Sequence, residues 1–323
     1  MKSRGEYKFP RSGLKKSISS IMAANFSNSA DRPYANGKEA KIWYLYVGDV
    51  QTRISNYKST LINIFKTRGV HTVYDVACGV GIDSVMLLEE GFKVNSSDVD
   101  SGFLEQTRKS KEANPKFSDW QIGYGDWLEL ESAEVQHPAG GYDAILCIGN
   151  SFTTLPDFEG ENRTHIRALQ NFKNLLKVGG VLIIDHRNFD YVIEHKEFPP
   201  NSHGSIYYNS DRVFNVGAKD FVEKEGQVVK LTFCSDIDVS GTDLESDPLV
   251  VMKKKGEEGS VVPTLELNDI PCCIYSLEGF TGLLRKVFGD EAEHKVFPDF
   301  KETHGPGSGD VVPNYWVHSI YKS

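Results

Sequence analysis

The chain has 323 residues, 39% of them apolar, and a formal charge of −9. That length fills one large α/β domain with room for an appended lobe. The acidic balance excludes a generic nucleic-acid surface, which needs clustered Lys and Arg, and no apolar run is long enough to cross a bilayer, so neither nucleic acid nor membrane is expected as a partner. Five cysteines, three inside apolar runs, suit buried thiols in a reducing compartment. Cys272-Cys273 has no Cys or His at zinc-site spacing, so no metal is expected.

Residues 1–29 are basic and Ser-rich and read as a disordered tail, with a transit peptide as the alternative. Residues 30–66 predict helix for most of their length, with Ile42, Leu45, Tyr46, Ile54, Tyr57, Leu61 and Ile64 at three- and four-residue intervals. A strand at 72–77 leads through "ACGVG" into a helix over 82–90. "FKVNSSDVD" is a second strand and 101–113 a charged helix. "GYDAILCIGNSF" is a buried strand running into a Gly-Asn turn. A helix over 161–177 is stopped by "VGG", and "VLIIDHRNFD" is another buried strand. This alternation from 72 to 190 predicts a parallel, doubly wound sheet.

After residue 200 the strand-like runs "RVFNVG", "QVVKLTFCSDIDV" and "LVVMKKK" have no long helices between them, and 238–262 reads as loop-rich and charged. The helix "LEGFTGLLRKVFG" and the strand "NYWVHSIYK" close the chain. The late strands are either antiparallel additions to the main sheet or a small lid, placed at about 200–275.

Ligands of open parallel sheets sit beyond the carboxyl ends of the strands. Asp75, Gly79, Gly81, Asp98, Asn150 and Arg187 all fall there. The turn lacks the third glycine of a dinucleotide fingerprint and the G-K-[ST] of a phosphate loop. Asp75 would repel a pyrophosphate but suits a cationic head, such as the amino group of S-adenosylmethionine. Asp98 ends the second strand, where a carboxylate accepts from both ribose hydroxyls; its alternative is a turn-forming Asp. Asp126 and Trp127 follow the third strand, for hydrogen bonding and stacking around adenine, with core packing as the alternative for Trp127. Arg187 carries a planar fork that pairs with a carboxylate, either that of a substrate or, structurally, Asp185 or Asp190. Strand alternation turns His186 away. No Ser-His-Asp or Cys-His arrangement is evident.

"DVACGVGIDS", "GNSF..LPD", "LLKVGGVLIIDHRNFDY" and "IYYNSD", with "YANGKEAKIWYLYVGD", "DFK" and "VHSIYK", resemble the glycine N-methyltransferase family, which includes glycine/sarcosine N-methyltransferases. The resemblance covers about 30–323 and is weak at 236–276. It implies a Rossmann-like class I S-adenosylmethionine-dependent methyltransferase domain over 30–323. It implies methylation of glycine or sarcosine with release of S-adenosylhomocysteine, by a cytoplasmic homotetramer. By position, the family's cofactor contacts fall on Tyr34, Trp43, Arg53, Ala77, Asp98, Asp126, Trp127 and Ile148. Its substrate groups fall on Asn150, Arg187 and Tyr208, with Tyr46 nearby. Asp126 stands where animal members have Asn, as in the glycine/sarcosine enzymes. Thr154 replaces a histidine and Phe233 a tyrosine, and a further tyrosine has no clear counterpart around Asp269–Cys273. Two other readings compete: a binding protein that keeps the cofactor site without turnover, and a Rossmann dehydrogenase, which Asp75 and the missing glycine disfavour.

Overall fold

A computed structural model describes residues 38–200, 205–225, 227–256, 259–301 and 312–323. The expected tail and Tyr34 lie outside the described residues. The long first helix is two: α1 (Lys38–Val47) and α2 (Val50–Thr67). Gly48, at φ 76°, breaks them, and the Asp49 carboxylate caps α2 by accepting from the Thr52 N–H at 2.6 Å.

The strands β1 (Thr72–Asp75), β2 (Lys93–Asp98), β3 (Gln121–Tyr124), β4 (Tyr142–Cys147) and β5 (Leu176–Arg187) pair in parallel in the order β3-β2-β1-β4-β5. β10 (His294–Pro298) and β11 (Tyr315–Tyr321) add antiparallel on the β5 side. The order reverses between β1 and β4, which opens a crevice at their carboxyl ends. The helices α3 (Ile82–Glu89), α4 (Ser101–Glu112), α5 (Arg163–Leu175), α6 (Phe189–His195) and α7 (Leu277–Phe288) complete the winding. Both faces of the sheet are apolar, as a parallel sheet needs. Val73, Leu146, Ile183 and Val317 pack with Leu61, Phe65 and Leu87 of α2 and α3. Tyr74, Ile145, Ile184 and Ile320 pack with Leu169, Phe172 and Leu284 of α5 and α7.

Val178-Gly179-Gly180, expected to stop a helix, instead lies inside β5, which begins at Leu176. Gly179 takes φ 79° and the β4–β5 register shifts nearby, so the glycines bend the strand. The strand expected through Asp190 ends at Arg187, where the Asn188 side chain caps α6. The late strands do both things left open. β10 and β11 join the main sheet, while β6 (Val213–Lys224), β7 (Gln227–Asp238), β8 (Val251–Lys254) and β9 (Val261–Cys273) form a separate antiparallel sheet in the order β6-β7-β9-β8. One face of this sheet, with Leu231, Phe233, Ile237, Leu265 and Cys272, joins the core of the main domain. Among the described residues no helix is long and apolar enough to cross a membrane.

Candidate active site

The turn after β1 needs glycine at Gly81, where φ is 84° and an added Cβ would lie 2.9 Å from Thr107 Cγ2. At Gly79 an added Cβ would meet nothing within 4 Å, so this side of the turn faces open space. The turn is tied to β2: Asp98 Oδ2 accepts from the Gly79 N–H at 2.9 Å, and Oδ1 from the Asp100 N–H at 2.9 Å. A carboxylate has about four acceptor positions, so about two remain on Asp98.

Three carboxyl groups gather at the strand ends: Asp75 on β1 and Asp185 on β5 are buried, and Asp98 on β2 is half-buried. Burial, with Asp83 nearby, pushes Asp75 up to about 7. Burial pushes Asp98 and Asp185 up to about 6 each. Asp75 accepts from the Ser84 hydroxyl at 2.6 Å. Asp185 accepts from the backbone N–H groups of Gly149 and Asn150 at 3.0 and 2.7 Å. It does not pair with Arg187, so it fastens the β4 turn rather than neutralising the arginine. Such a cluster favours a cation among its carboxylates.

Arg53 of α2 is 4% exposed and pairs with Asp83, with Nη2 to Oδ2 at 2.6 Å. Tyr57 donates to the same carboxylate. Burial works against the Arg53 charge, but Asp83 works for it and prevails. The Arg53 Nε–H is buried without an acceptor among the described residues. Trp127 donates its indole N–H to the Val76 carbonyl at 2.7 Å and stacks on Phe152. Ala77 packs against the same apolar cluster. Asp126 is buried and accepts from the Leu128 N–H at 2.8 Å. Ile148 is buried at the end of β4.

Next to this cluster lies an aromatic chamber. Trp43 stacks on Tyr46 at 6.0 Å, and both meet Tyr208 edge-on, at 5.5 and 4.7 Å. The Tyr208 hydroxyl donates to the Gly149 carbonyl at 3.2 Å. The Arg187 guanidinium lies 5.0 Å from the ring centres of Phe198 and Phe233, 5.1 Å from Tyr315 and 5.8 Å from Tyr208. Arg187 is 6% exposed, and the ion pairs among the described residues do not include it. Asn150, at φ 64°, places its side-chain carbonyl to accept from the Arg187 backbone N–H at 2.9 Å. The Thr154 hydroxyl donates to the Ser151 carbonyl at 2.7 Å. His186 faces away, as alternation implies, against Phe280 and His318.

The expected cofactor positions Asp75, Ala77, Asp98 and Ile148 and the expected substrate positions Asn150 and Arg187 thus lie at or just past the carboxyl ends of β1, β2, β4 and β5. Sequence reasoning missed Asp83, Ser84, Phe198 and Cys272 as neighbours of the site. A strand-end Asp followed by Ser or Asp in the next helix's first turn was the available signal for the first two. Among the described residues no group of three or more His, Cys, Asp or Glu side chains converges as a metal site.

No family model matches the chain. Glycine N-methyltransferase of Homo sapiens is 35% identical over 294 residues, 90% of this chain and 92% of that protein. The Rattus norvegicus protein of the same name is 36% identical over 295 residues, with the same coverage of 90% and 92%. Glycine/sarcosine N-methyltransferase of Parasynechococcus marenigrum is 35% identical over 150 residues, 46% of this chain and 50% of that protein. Among solved structures, an S-adenosylmethionine-dependent methyltransferase from Clostridium acetobutylicum superposes with a TM-score of 0.56 at 13% identity, covering 88% of this chain and 98% of that one. That likeness shows the fold, a Rossmann-like class I methyltransferase fold.

Removing one partner of a buried ion pair leaves the other charge uncompensated, at a cost of about 3–5 kcal/mol. Asp83→Ala is therefore expected to lower the unfolding free energy by about that amount, read from urea denaturation. A loss of less than about 1 kcal/mol would mean that Arg53 finds another acceptor.

Proposed function

Because the chain belongs to the glycine N-methyltransferase family, we propose that its strand-end crevice binds S-adenosylmethionine and methylates the amine of glycine or sarcosine in the adjoining chamber. The observation that carries this reading is Arg187: a buried guanidinium with no carboxylate among the described residues, beside the buried Asp75 and Asp185 and the half-buried Asp98. One half of the crevice suits a cation, the other an anion.

The residues present fit the cofactor. The two remaining acceptor positions of Asp98 suit a ribose diol, and the open side of Gly79 leaves room for it. The unpartnered Arg53 Nε–H suits the cofactor's carboxylate, and Asp75 its ammonium. Tyr34, Trp43, Ala77, Asp126, Trp127 and Ile148 complete the cofactor contacts in this reading. When bound, the cofactor supplies an electrophilic methyl group on a sulfonium.

The chain's own part is positioning, which can supply about 7–11 kcal/mol of a bimolecular barrier. Arg187 holds the acceptor carboxylate through its fork. Asn150, fixed by the Arg187 backbone N–H, keeps one carbonyl lone pair for the acceptor N–H. The rings of Trp43, Tyr46 and Tyr208 and the tyrosine hydroxyl oxygens stabilise positive charge building on the nitrogen. The family resemblance also supports a homotetramer in the cytoplasm.

Turnover is tested by incubating the protein with S-adenosylmethionine and a panel of small amines, read by mass spectrometry. Methyl glycine products are expected, with sarcosine used at least as well as glycine because Phe233 and Thr154 remove polar partners from the wall. Cofactor binding without methyl transfer to any member overturns the catalytic reading.

Asp98→Ala is expected to weaken S-adenosylmethionine binding by about 1.5–3 kcal/mol in calorimetry. The pH dependence follows from the same group. Free Asp98 titrates at about 6, and ribose hydroxyls donate to its ionised form. Binding at pH 5 must therefore expel a proton, so wild-type affinity is expected to tighten as pH rises through 6. Affinity that weakens over that range contradicts the assignment.

Arg187→Lys keeps the charge but loses the fork. The variant is expected to lose kcat/KM for the amino acid by at least about tenfold, one good hydrogen bond to a charged group, with cofactor affinity nearly intact. Normal turnover would make Arg187 a structural residue.

A further inference from the structure

The antiparallel sheet covers the chamber with two neighbouring strands. In the β7–β9 register Leu231 faces Cys272 and Phe233 faces Ile270. Paired residues project to the same side of a sheet, and so do residues two apart on one strand. Phe233 and Cys272 are therefore diagonal neighbours on the face turned toward the main domain, where both are buried.

Phe233 lies over the Arg187 guanidinium at 5.0 Å. The Cys272 sulfur lies 4.0 Å from Asn150 Nδ2, which donates toward it, and its surroundings include Arg187 and Thr153. Cys272 thus touches the amide that fixes Arg187 and lies beside the guanidinium. Its side chain is short and fills less volume there than a larger residue would. Its sulfur is a weak donor and a weak acceptor, so it offers little to a second amine N–H.

We propose that Cys272 is a specificity-determining wall of the acceptor pocket, whose small, weakly polar thiol leaves space for an N-methyl group and so favours a secondary amino-acid amine over a primary one. The inference rests on the acceptor reading above. A primary amine brings one more N–H than a secondary amine, and that N–H finds sulfur where a hydroxyl would have accepted it. The N-methyl group of a secondary amine instead packs against the sulfur, which is soft and polarizable.

The test measures kcat/KM for sarcosine and for glycine, and the S-adenosylmethionine Kd, in the full chain and in two variants. Cys272→Leu fills the space. It is expected to lower the sarcosine-to-glycine ratio at least tenfold, with the cofactor Kd within threefold of wild type. Cys272→Ser keeps the size but supplies a real acceptor. It is expected to lower the ratio at least threefold by improving glycine, and it decides the matter where the leucine variant does not fold. A residue that merely supports the strand would reduce both acceptors together and leave the ratio alone. An unchanged ratio in a folded, cofactor-binding variant overturns the inference and leaves the methyltransferase reading standing. A wild-type protein that binds the cofactor but methylates neither amino acid overturns both.

Discussion

The crevice depends on burying charge of both signs within one short stretch of strand ends. Asp75, Asp98 and Asp185 are held where their ionised forms are disfavoured, and Arg187 is held among rings without a carboxylate among the described residues. Neither arrangement helps the free protein. Carboxyl groups raised in the folded state contribute stability that is present below their unfolded values and is lost as pH rises through about 6 to 7. Opposite charges brought to the two ends would offset that cost. The rest of the architecture serves this placement. The reversal between β1 and β4 opens the crevice, and backbone N–H groups at Gly79, Gly149 and Asn150 hold the carboxylates in place.

The parallel core was legible because its signals are local. Apolar runs ending in polar residues mark β1, β2, β4 and β5, and the strand-end positions follow from the runs alone. Three features were not legible for physical reasons. Gly48 reads as a tolerable interruption of a helix, yet its left-handed φ and the Asp49 cap split that helix in two. Val178-Gly179-Gly180 reads as a stop, yet a bent strand also tolerates glycine. β9 carries Pro263 and Pro271 and alternates poorly, so its pairing with β7 and β8 comes from the tertiary fold rather than from its own sequence.

The same distinction governs the site. Arg187 was identifiable from its residue type and motif, and the structural alternative, a pair with Asp185 or Asp190, is not what the fold uses. Asp185 sits two residues away on the same strand, which makes an ion pair look natural. The structure uses its oxygens for the Gly149 and Asn150 N–H groups instead. A sequence shows which charges share a face; it does not show which backbone donors claim them first. Cys272 is the clearer case. It is 122 residues from Asn150 in the chain, and only the fold brings the two side chains together.

β5 shows how one strand can serve both a polar crevice and an apolar core. Asp185 and Arg187 share one face by the period of two, while Ile184 and His186 share the other. His186 stacks on His318, and His318 on His294, against Phe280. Burial lowers His186 to about 4 and drives His318 well below its ordinary range, so both rings are neutral at pH 7 and pack as flat, nearly apolar groups. Placing neutral rings on that face keeps their side of the strand uncharged, opposite the buried Arg187 guanidinium. The alternation of a single strand therefore separates the buried Arg187 cation from imidazoles that pack in the core, although His186 and Arg187 are adjacent in the chain.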